Sequence, residues 1–263
     1  LAIAALAGQA ALVALTLAGS IPLVAGIVVV GVVHFPLYIC FHEAAHGNIV
    51  RGRLKVVNEV LGSMLGIALG VPLFVHRKEH LAHHAHTNRE QADPDHGAFP
   101  DGRFSVRGSV SLFLVQYRFF ARSAWARTSP RQRVWLAVDL LLIIGVRAAL
   151  IAVLGWTAAG RVVAALVVAE RDIAYLLVYL VHAKPRPLGE GRWIDTLSYD
   201  IGHLPAPARR LVNWGWLGHQ AHSIHHLYPS VPFYRQQEVF DEIHELLVDL
   251  DAPIRPLWAR TEV

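Results

Sequence analysis

The chain has 263 residues, of which 54% are hydrophobic and only 17% charged, with a mean hydropathy of +0.39. A soluble domain of this size carries about 25% charged residues, so the composition excludes an ordinary soluble globule and indicates a membrane. One cysteine, Cys40, excludes an internal disulfide, and sixteen histidines beside it exclude thiolate-rich zinc or iron–sulfur sites.

Four segments are long enough to cross a bilayer as helices, which takes about 20 apolar residues. Residues 1–19 and 21–41 are the first two, joined at Gly19-Ser20-Ile21-Pro22 as an antiparallel hairpin. The first run lacks a basic leading region and reads as a span, not a secretory signal. A shorter apolar stretch, Leu61 to Val75, suits a re-entrant or interfacial helix. Ser111 to Ala126 mixes aromatics with Arg118 and Arg122, as interfacial helices do. The last two spans are residues 134–156 and 162–181, with Gly160 in the connection. The expected fold is an all-α integral membrane protein, one domain over 1–263. It has four transmembrane helices, interfacial helices and a histidine-rich cap formed by 42–133 and 182–263.

Arg147 and Arg171 lie within spans and Arg161 between the last two; all other Lys and Arg fall between Arg51 and Arg133 or after Lys184. The positive-inside rule places both regions, and so the cap, in the cytoplasm. No aromatic-and-basic motif accompanies this charge, so anionic headgroups explain it better than nucleic acid. Arg147 and the triplet Glu170, Arg171 and Asp172 sit near mid-span, where a charge costs at least about 2.5–3.5 kcal/mol. Arg147 is therefore expected to meet Glu170 or Asp172, as an ion pair or as a polar feature of a substrate channel.

The histidines gather at the cytoplasmic ends. "FHEAAHGN" carries His42 and His46, "HRKEHLAHHAHTN" carries His80, His83 and His84, "VHAKPRP" carries His182, and "GHQAHSIHH" carries His219, His222, His225 and His226. Helical positions i, i+3 and i+4 share a face, so each group can aim two or three imidazoles at one point. Excluding His219, these make nine convergent nitrogens, more than one metal takes, which implies two metals with open positions. An imidazole-only site suits zinc, copper, iron or nickel, and open positions beside hydrocarbon suit iron and dioxygen. His34, His96, His203 and His244 stand alone and read as ordinary core or surface residues. His76 and His86 lie off the ligating face of their cluster. His219, three residues before His222, can face the metals.

Rival chemistries leave residues unused. "HEAAH" matches the HExxH zinc protease signature with a glutamate base, but an intramembrane protease would leave both HxxHH groups idle. A ferritin-type carboxylate bundle needs two Glu-x-x-His motifs, and Glu43-x-x-His46 is the only one in the clusters. Haem ligands would lie within the spans, whereas the clusters lie at or beyond their ends.

The three boxes, HxxxH, HxxHH and HxxHH, together resemble the membrane fatty acid desaturases and their carotenoid hydroxylase and ketolase relatives. The likeness runs from about Phe41 to Ile243, through "HLAHHAHTNREQADPDHGAF", "HAKPRPLGEGRW" and "LGHQAHSIHHLYPSVPFY"; its wording is closest to the carotenoid branch and short bacterial desaturases. The resemblance implies two non-haem iron ions held by His42, His46, His80, His83, His84, His182, His222, His225 and His226. In acyl-CoA desaturases an asparagine one turn before the equivalent of His182 is a further ligand; here that position is Val178, and His219 is the candidate replacement. Asp93 and Asp95 are expected to support ligands or cap helices, and Asp195, Asp200 and Glu79 are candidates to orient imidazoles. The implied activity is dioxygen-dependent desaturation or hydroxylation of a long apolar lipid, fatty acyl or carotenoid. With no fused haem motif, electrons are expected from a separate, ferredoxin-like donor.

Overall fold

The computed structural model describes residues 1–18, 20, 23–89, 92–96, 114–115, 117–182 and 192–258, with side chains described except at 16–17, 23–32, 123–124, 161–178 and 192. The architecture is mostly helical. Helix α1 (Ala2–Leu17) packs along α2 (Leu23–His46). Toward the end of α2, Leu37, Phe41 and Ala44 are almost wholly buried, in a core shared with Ala5 of α1 and with Leu65, Leu69 and Leu73.

Helix α3 (Val56–Leu69) ends at Gly70, whose left-handed backbone (φ 87°) lets its N–H donate to the Gly66 carbonyl. Pro72 then leads into α4 (Leu73–His86), and the two helices meet at 97°. The apolar stretch Leu61 to Val75, expected as a re-entrant or interfacial helix, is two helix ends meeting at a corner. The left-handed glycine and the proline two residues on both oppose continuation. α3 also passes very close to α2: a Cβ built at Gly62 would stand 2.6 Å from Leu73 Cδ2 and 2.9 Å from Ala44 Cβ.

Ser129 and Gln132 form a reciprocal capping box, Gln132 N donating to Ser129 Oγ and Ser129 N to Gln132 Oε1. With Pro130 at the first helical position, this starts α5, a helical stretch over Pro130–His182 interrupted at Gly155 (φ 73°, ψ 162°). The break falls at Gly155 and not at the expected Gly160, which remains helical. Both residues are glycine, and propensity alone does not decide which one adopts the non-helical backbone. Within Pro130–Gly160, a segment long and apolar enough to cross a membrane, Leu141, Ile144 and Val153 are 69%, 62% and 81% exposed. Apolar side chains this bare along one helix suit lipid and not water. Among the described residues it is the one single segment that meets that test, with the bent α3–α4 pair a second.

Arg147 of α5 donates from Nη1 to the Ile67 carbonyl at 2.6 Å and from Nη2 to the Ala68 carbonyl at 3.3 Å. Its charge thus meets the carbonyl end of α3, where the helix dipole favours a cation. The expected partners Glu170 and Asp172 lie outside the described side chains.

Beyond α5, strand β1 (Ser198–Asp200) pairs in parallel with β2 (Ile254–Pro256). Helices α6 (Ala206–Trp216), α7 (His222–Leu227) and α8 (Phe233–Asp249) complete the cap. The segment around Phe120 packs against Phe74 of α4, ring centroids 5.7 Å apart, while Arg118 and Arg122 are exposed. The rest of the expected interfacial segment, through residue 113, lies outside the described residues.

The close crossing at Gly62 makes a specific prediction. Gly62→Ala should destabilise the detergent-solubilised protein by about 1–3 kcal/mol, because the new methyl group meets another Cβ that cannot rotate away. A thermal midpoint equal to that of the wild type would show that the crossing is looser than described.

Candidate metal centre

Four helix ends converge here. α2 brings His42 and His46, α4 brings His80, His83 and His84, the end of α5 brings His182, and α7 brings His222, His225 and His226. Their ring nitrogens form two groups. Those of His42, His46, His80, His84 and His225 lie within 4.8 Å of one another, as do those of His83, His182 and His226. His222 joins the second group, its Nε2 3.2 Å from His182 Nε2.

Each HxxHH box thus aims two of its three imidazoles at one point and the third at the other. A helix advances about 100° per residue, so i and i+4 diverge by about 40° whereas i+3 and i+4 diverge by about 100°. In both boxes the i, i+4 pair stays together and i+3 crosses over. His80 and His84 go to the five-histidine group and His83 to the other, while His222 and His226 go to the four-histidine group and His225 to the first.

The spacing fits a metal. His46 Nε2 and His84 Nε2 stand 2.9 and 3.0 Å from His80 Nε2, and His182 Nε2 has His83, His226 and His222 Nε2 at 2.9, 3.2 and 3.2 Å. Two imidazole nitrogens at right angles on one ion, each at about 2.1 Å, would lie about 3.0 Å apart. Hydrogen bonding does not account for the cluster, because a neutral imidazole has one donor and one acceptor. The single Nε2 of His182 cannot satisfy three neighbours. His225 has neither ring nitrogen hydrogen-bonded in this structure.

Surrounding groups set the rings' orientation. His83 Nδ1 is 2.8 Å from Asp93 Oδ1, which also accepts from Asp95 N, while Asp93 Oδ2 accepts from Asn88 N. Thr87 Oγ1 donates to the His83 carbonyl at 2.8 Å and lies 3.1 Å from His226 Nδ1. Having donated its proton, that hydroxyl accepts from Nδ1–H and leaves the His226 Nε2 lone pair facing the cluster. Asp93 does the same for His83.

Longer-range ties bring the boxes together. Asn48 Nδ2 donates to the Pro229 carbonyl, Arg51 to the Ser230 carbonyl, and Phe233 N to Glu43 Oε2. Ser198 Oγ meets Ser223 Oγ at 2.7 Å, fixing α7 to β1, and Tyr199 donates to the Leu180 carbonyl beside His182. Gly218 (φ 77°) lies so close to the Phe233 carbonyl that a Cβ there would clash with it.

Burial first, and neighbouring imidazoles after it, hold His80, His222, His225 and His226 well below the ordinary histidine range, and His84 follows. Burial thus favours their neutral form, the form in which imidazole binds a metal. His83 is the exception: burial lowers it, but the Asp93 hydrogen bond and the charges of Asp95, Asp93 and Asp195 outweigh that and raise it. Burial and the charge of Asp95 push Glu79 well above the carboxylate range, and Asp95 is itself raised.

The remaining expectations sort cleanly. Asp93 and Asp95 lie with His83, and Asp195 takes Asn88 Nδ2 on its carbonyl. Asp200 instead caps its own turn through Gly202 N. His219 reaches the cluster through His222, ring centroids 4.4 Å apart, and is outside both nitrogen groups. The Val178 side chain lies outside those described. His76 stacks on Phe41 at 4.8 Å, and His86 and His96 are exposed. His34 has Gln9 Nε2 at 3.4 Å, His203 meets the Leu257 carbonyl, and His244 packs on Phe240. Glu43 of HExxH holds the first N–H of α8, the role of a helix cap and not of a base aimed between metal and substrate. Sequence reasoning missed Thr87 and Arg77. Thr87 lies one turn after His83, a spacing that could have flagged it, whereas the carbonyls bound by Arg77 leave no trace in sequence.

Helix ends carrying a buried double cluster of imidazoles that could hold metal ions, beside an apolar span, define a membrane-type histidine-box protein. The chain belongs to the fatty acid desaturase family, whose model matches residues 18–258. It is 24% identical over 215 residues to a sphingolipid delta(4)-desaturase of Drosophila melanogaster, covering 80% of this chain and 62% of that protein. It is 33% identical over 96 residues to a beta-carotene 4-ketolase of Protosiphon botryoides, covering 35% and 24%. A fatty acid desaturase of Bacillus subtilis matches at 23% over 237 residues, covering 80% and 65%. The chain thus spans less than two thirds of the length of each of these relatives.

The neutral cluster fixes a pH dependence. Histidines with lowered folded pKa cost the fold nothing above the unfolded value of 6.5 and destabilise it below. Below it the unfolded chain binds protons that the folded chain refuses, at up to about 1.4 kcal/mol per pH unit for each group. His83, raised, acts in the opposite sense: its contribution is present below 6.5 and lost as pH rises through its folded value. The several lowered groups outweigh it. Metal-stripped protein should therefore melt at a markedly lower temperature at pH 5.5 than at pH 7.5; equal midpoints would show that the imidazoles are not buried neutral.

Proposed function

We propose that the chain is a multi-pass membrane enzyme that uses dioxygen and two non-haem iron ions to desaturate or hydroxylate a long apolar lipid, fatty acyl or carotenoid. The observation that carries this reading is the five-and-four division of imidazoles, each group at metal-binding spacing. Support for an apolar lipid comes from the relatives, whose names specify sphingolipid, carotene and fatty acid. Four spans, with the cap and site facing the cytoplasm, follow from the hydropathy and basic-residue patterns.

One ion would be held by His42, His46, His80, His84 and His225, the other by His83, His182, His222 and His226, with His219 beside the second. Bound iron would supply dioxygen activation and attack on an unactivated C–H bond. The chain's own residues do the rest. Asp93 keeps the His83 Nδ1 proton in place, and Thr87 keeps that of His226. Ile224, fully buried between the ligands of α7, helps exclude water. Electrons would come from a separate, ferredoxin-like protein. Loss of two hydrogens gives a double bond and gain of one oxygen gives an alcohol, outcomes that depend on substrate placement.

Protein purified anaerobically should contain two iron ions per chain, and with lipid, air and a reductase system should give product of matching mass. His83→Ala and His225→Ala should each abolish turnover and lower iron content; full activity in either would remove that residue from the site. His219→Ala should cost far more activity than His244→Ala, and equal mild effects would place His219 outside it. One stoichiometric zinc without iron would instead favour a protease.

A further inference from the structure

Arg77 lies on α4 three residues before His80 and reaches across to the end of α2. Its Nε donates to the Ala45 carbonyl at 2.9 Å and its Nη2 to the Ala44 carbonyl at 3.0 Å. Both carbonyls stand in the last turn of α2, between His42 and His46, where acceptors lose their i+4 partners, and the Ala44 carbonyl also takes the Gly47 N–H at 3.1 Å. On its other edge Nη1 donates to Glu59 Oε2 of α3 at 3.0 Å, and Nη2 lies 2.9 Å from Glu59 Oε1. One planar guanidinium therefore joins α2, α3 and α4. Its donors are fixed relative to one another, so it sets angle as well as distance.

What lies beyond this joint is one half of the site. His42 and His46 from α2 meet His80 and His84 from α4, with His46 and His80 Nε2 2.9 Å apart. Four of the five ligands in that group thus depend on the register of α2 against α4. The four-histidine group takes nothing from α2. Its members come from α4, α5 and α7, oriented by Asp93 and Thr87.

We propose that Arg77 is a positioning residue that sets the register of α2 against α4 and so holds the five-histidine group, and not the four-histidine group, at metal-binding spacing. This rests on the reading of the clusters as two metal sites. A merely structural arginine would weaken both sites together as the fold loosened, whereas a positioning arginine weakens one.

The test is cobalt binding to the full chain in detergent, followed by equilibrium dialysis and ligand-field absorption. Wild-type protein should take up two ions. Arg77→Ala should keep one at wild-type affinity and bind the other about 10–100-fold more weakly, the usual effect of losing a group that supports a ligand. In a His42→Ala background Arg77→Ala should add little, whereas in a His222→Ala background it should remove most remaining cobalt, the non-additivity expected within one unit. Glu59→Gln, which leaves the carbonyl contacts in place, should give a smaller loss at the same site. Arg77→Lys, with one ammonium for the fork, should recover part of it. Equal weakening at both sites, or unchanged binding, would overturn the assignment to Arg77. Failure of the wild-type chain to bind cobalt would overturn the two-metal reading itself.

Discussion

The structure turns on a crowding of like groups. Neutral imidazole nitrogens sit 2.9–3.2 Å apart in two buried groups, each ring having one donor and one acceptor. Such a set cannot satisfy itself, and it cannot ionise, because several imidazolium charges would face one another out of water. A bound cation resolves both problems, accepting the lone pairs directly and leaving the outer Nδ1–H groups free to bond elsewhere. The polar features around the cluster follow. Asp93 and Thr87 receive those outer protons, and residues far apart in sequence tie the ligand-bearing helix ends into one place.

Helix ends suit this task. A helix keeps its backbone polar groups satisfied along an apolar stretch and exposes unsatisfied ones only at its ends. Leu141, Ile144 and Val153 can thus face lipid on α5 while His182, at the far end of the same stretch, lies buried in the cluster. Carbonyls at the end of α2 and of α3 are met by arginines from other helices, Arg77 and Arg147. Each arginine both closes a helix and fixes its neighbour. The same economy explains Glu43, whose carboxylate takes the first N–H of α8 and so links the first histidine box to the segment after the third.

Much of the site is legible in sequence because ligands on helices must repeat at i, i+3 and i+4. The eight histidines picked out by that spacing converge, joined by the lone His182, and His34, His96, His203 and His244 stand apart. Which group each ligand joins is not legible from shared faces alone, since the 100° between i+3 and i+4 matters only once partner helices are in place. The Gly155 break and the corner at Gly70 show a different gap. Glycine marks where a helix can stop, but packing chooses among the glycines. Arg147 meets the carbonyl end of α3, a partner that carries no side-chain signature, while the expected carboxylates of Glu170 and Asp172 lie outside the described side chains.

The two groups differ in their carboxyl neighbours as well as in ligand number. Asp93 and Asp95 lie within reach of His83, and Glu79, its side chain hydrogen-bonded to Asp95, stands behind them. At the five-histidine group the nearby carboxyl is Glu43, 3.7 Å from His42 Nδ1 and already engaged with α8. Fewer imidazoles are thus accompanied by more buried carboxyl groups. In a medium of low dielectric, opposite charge nearby raises the affinity of a site for a cation much as an added ligand would. The raised position of His83 among otherwise lowered histidines is the local mark of that field. The acids that hold a ligand ring in orientation also offset the charge that the ring is oriented to bind.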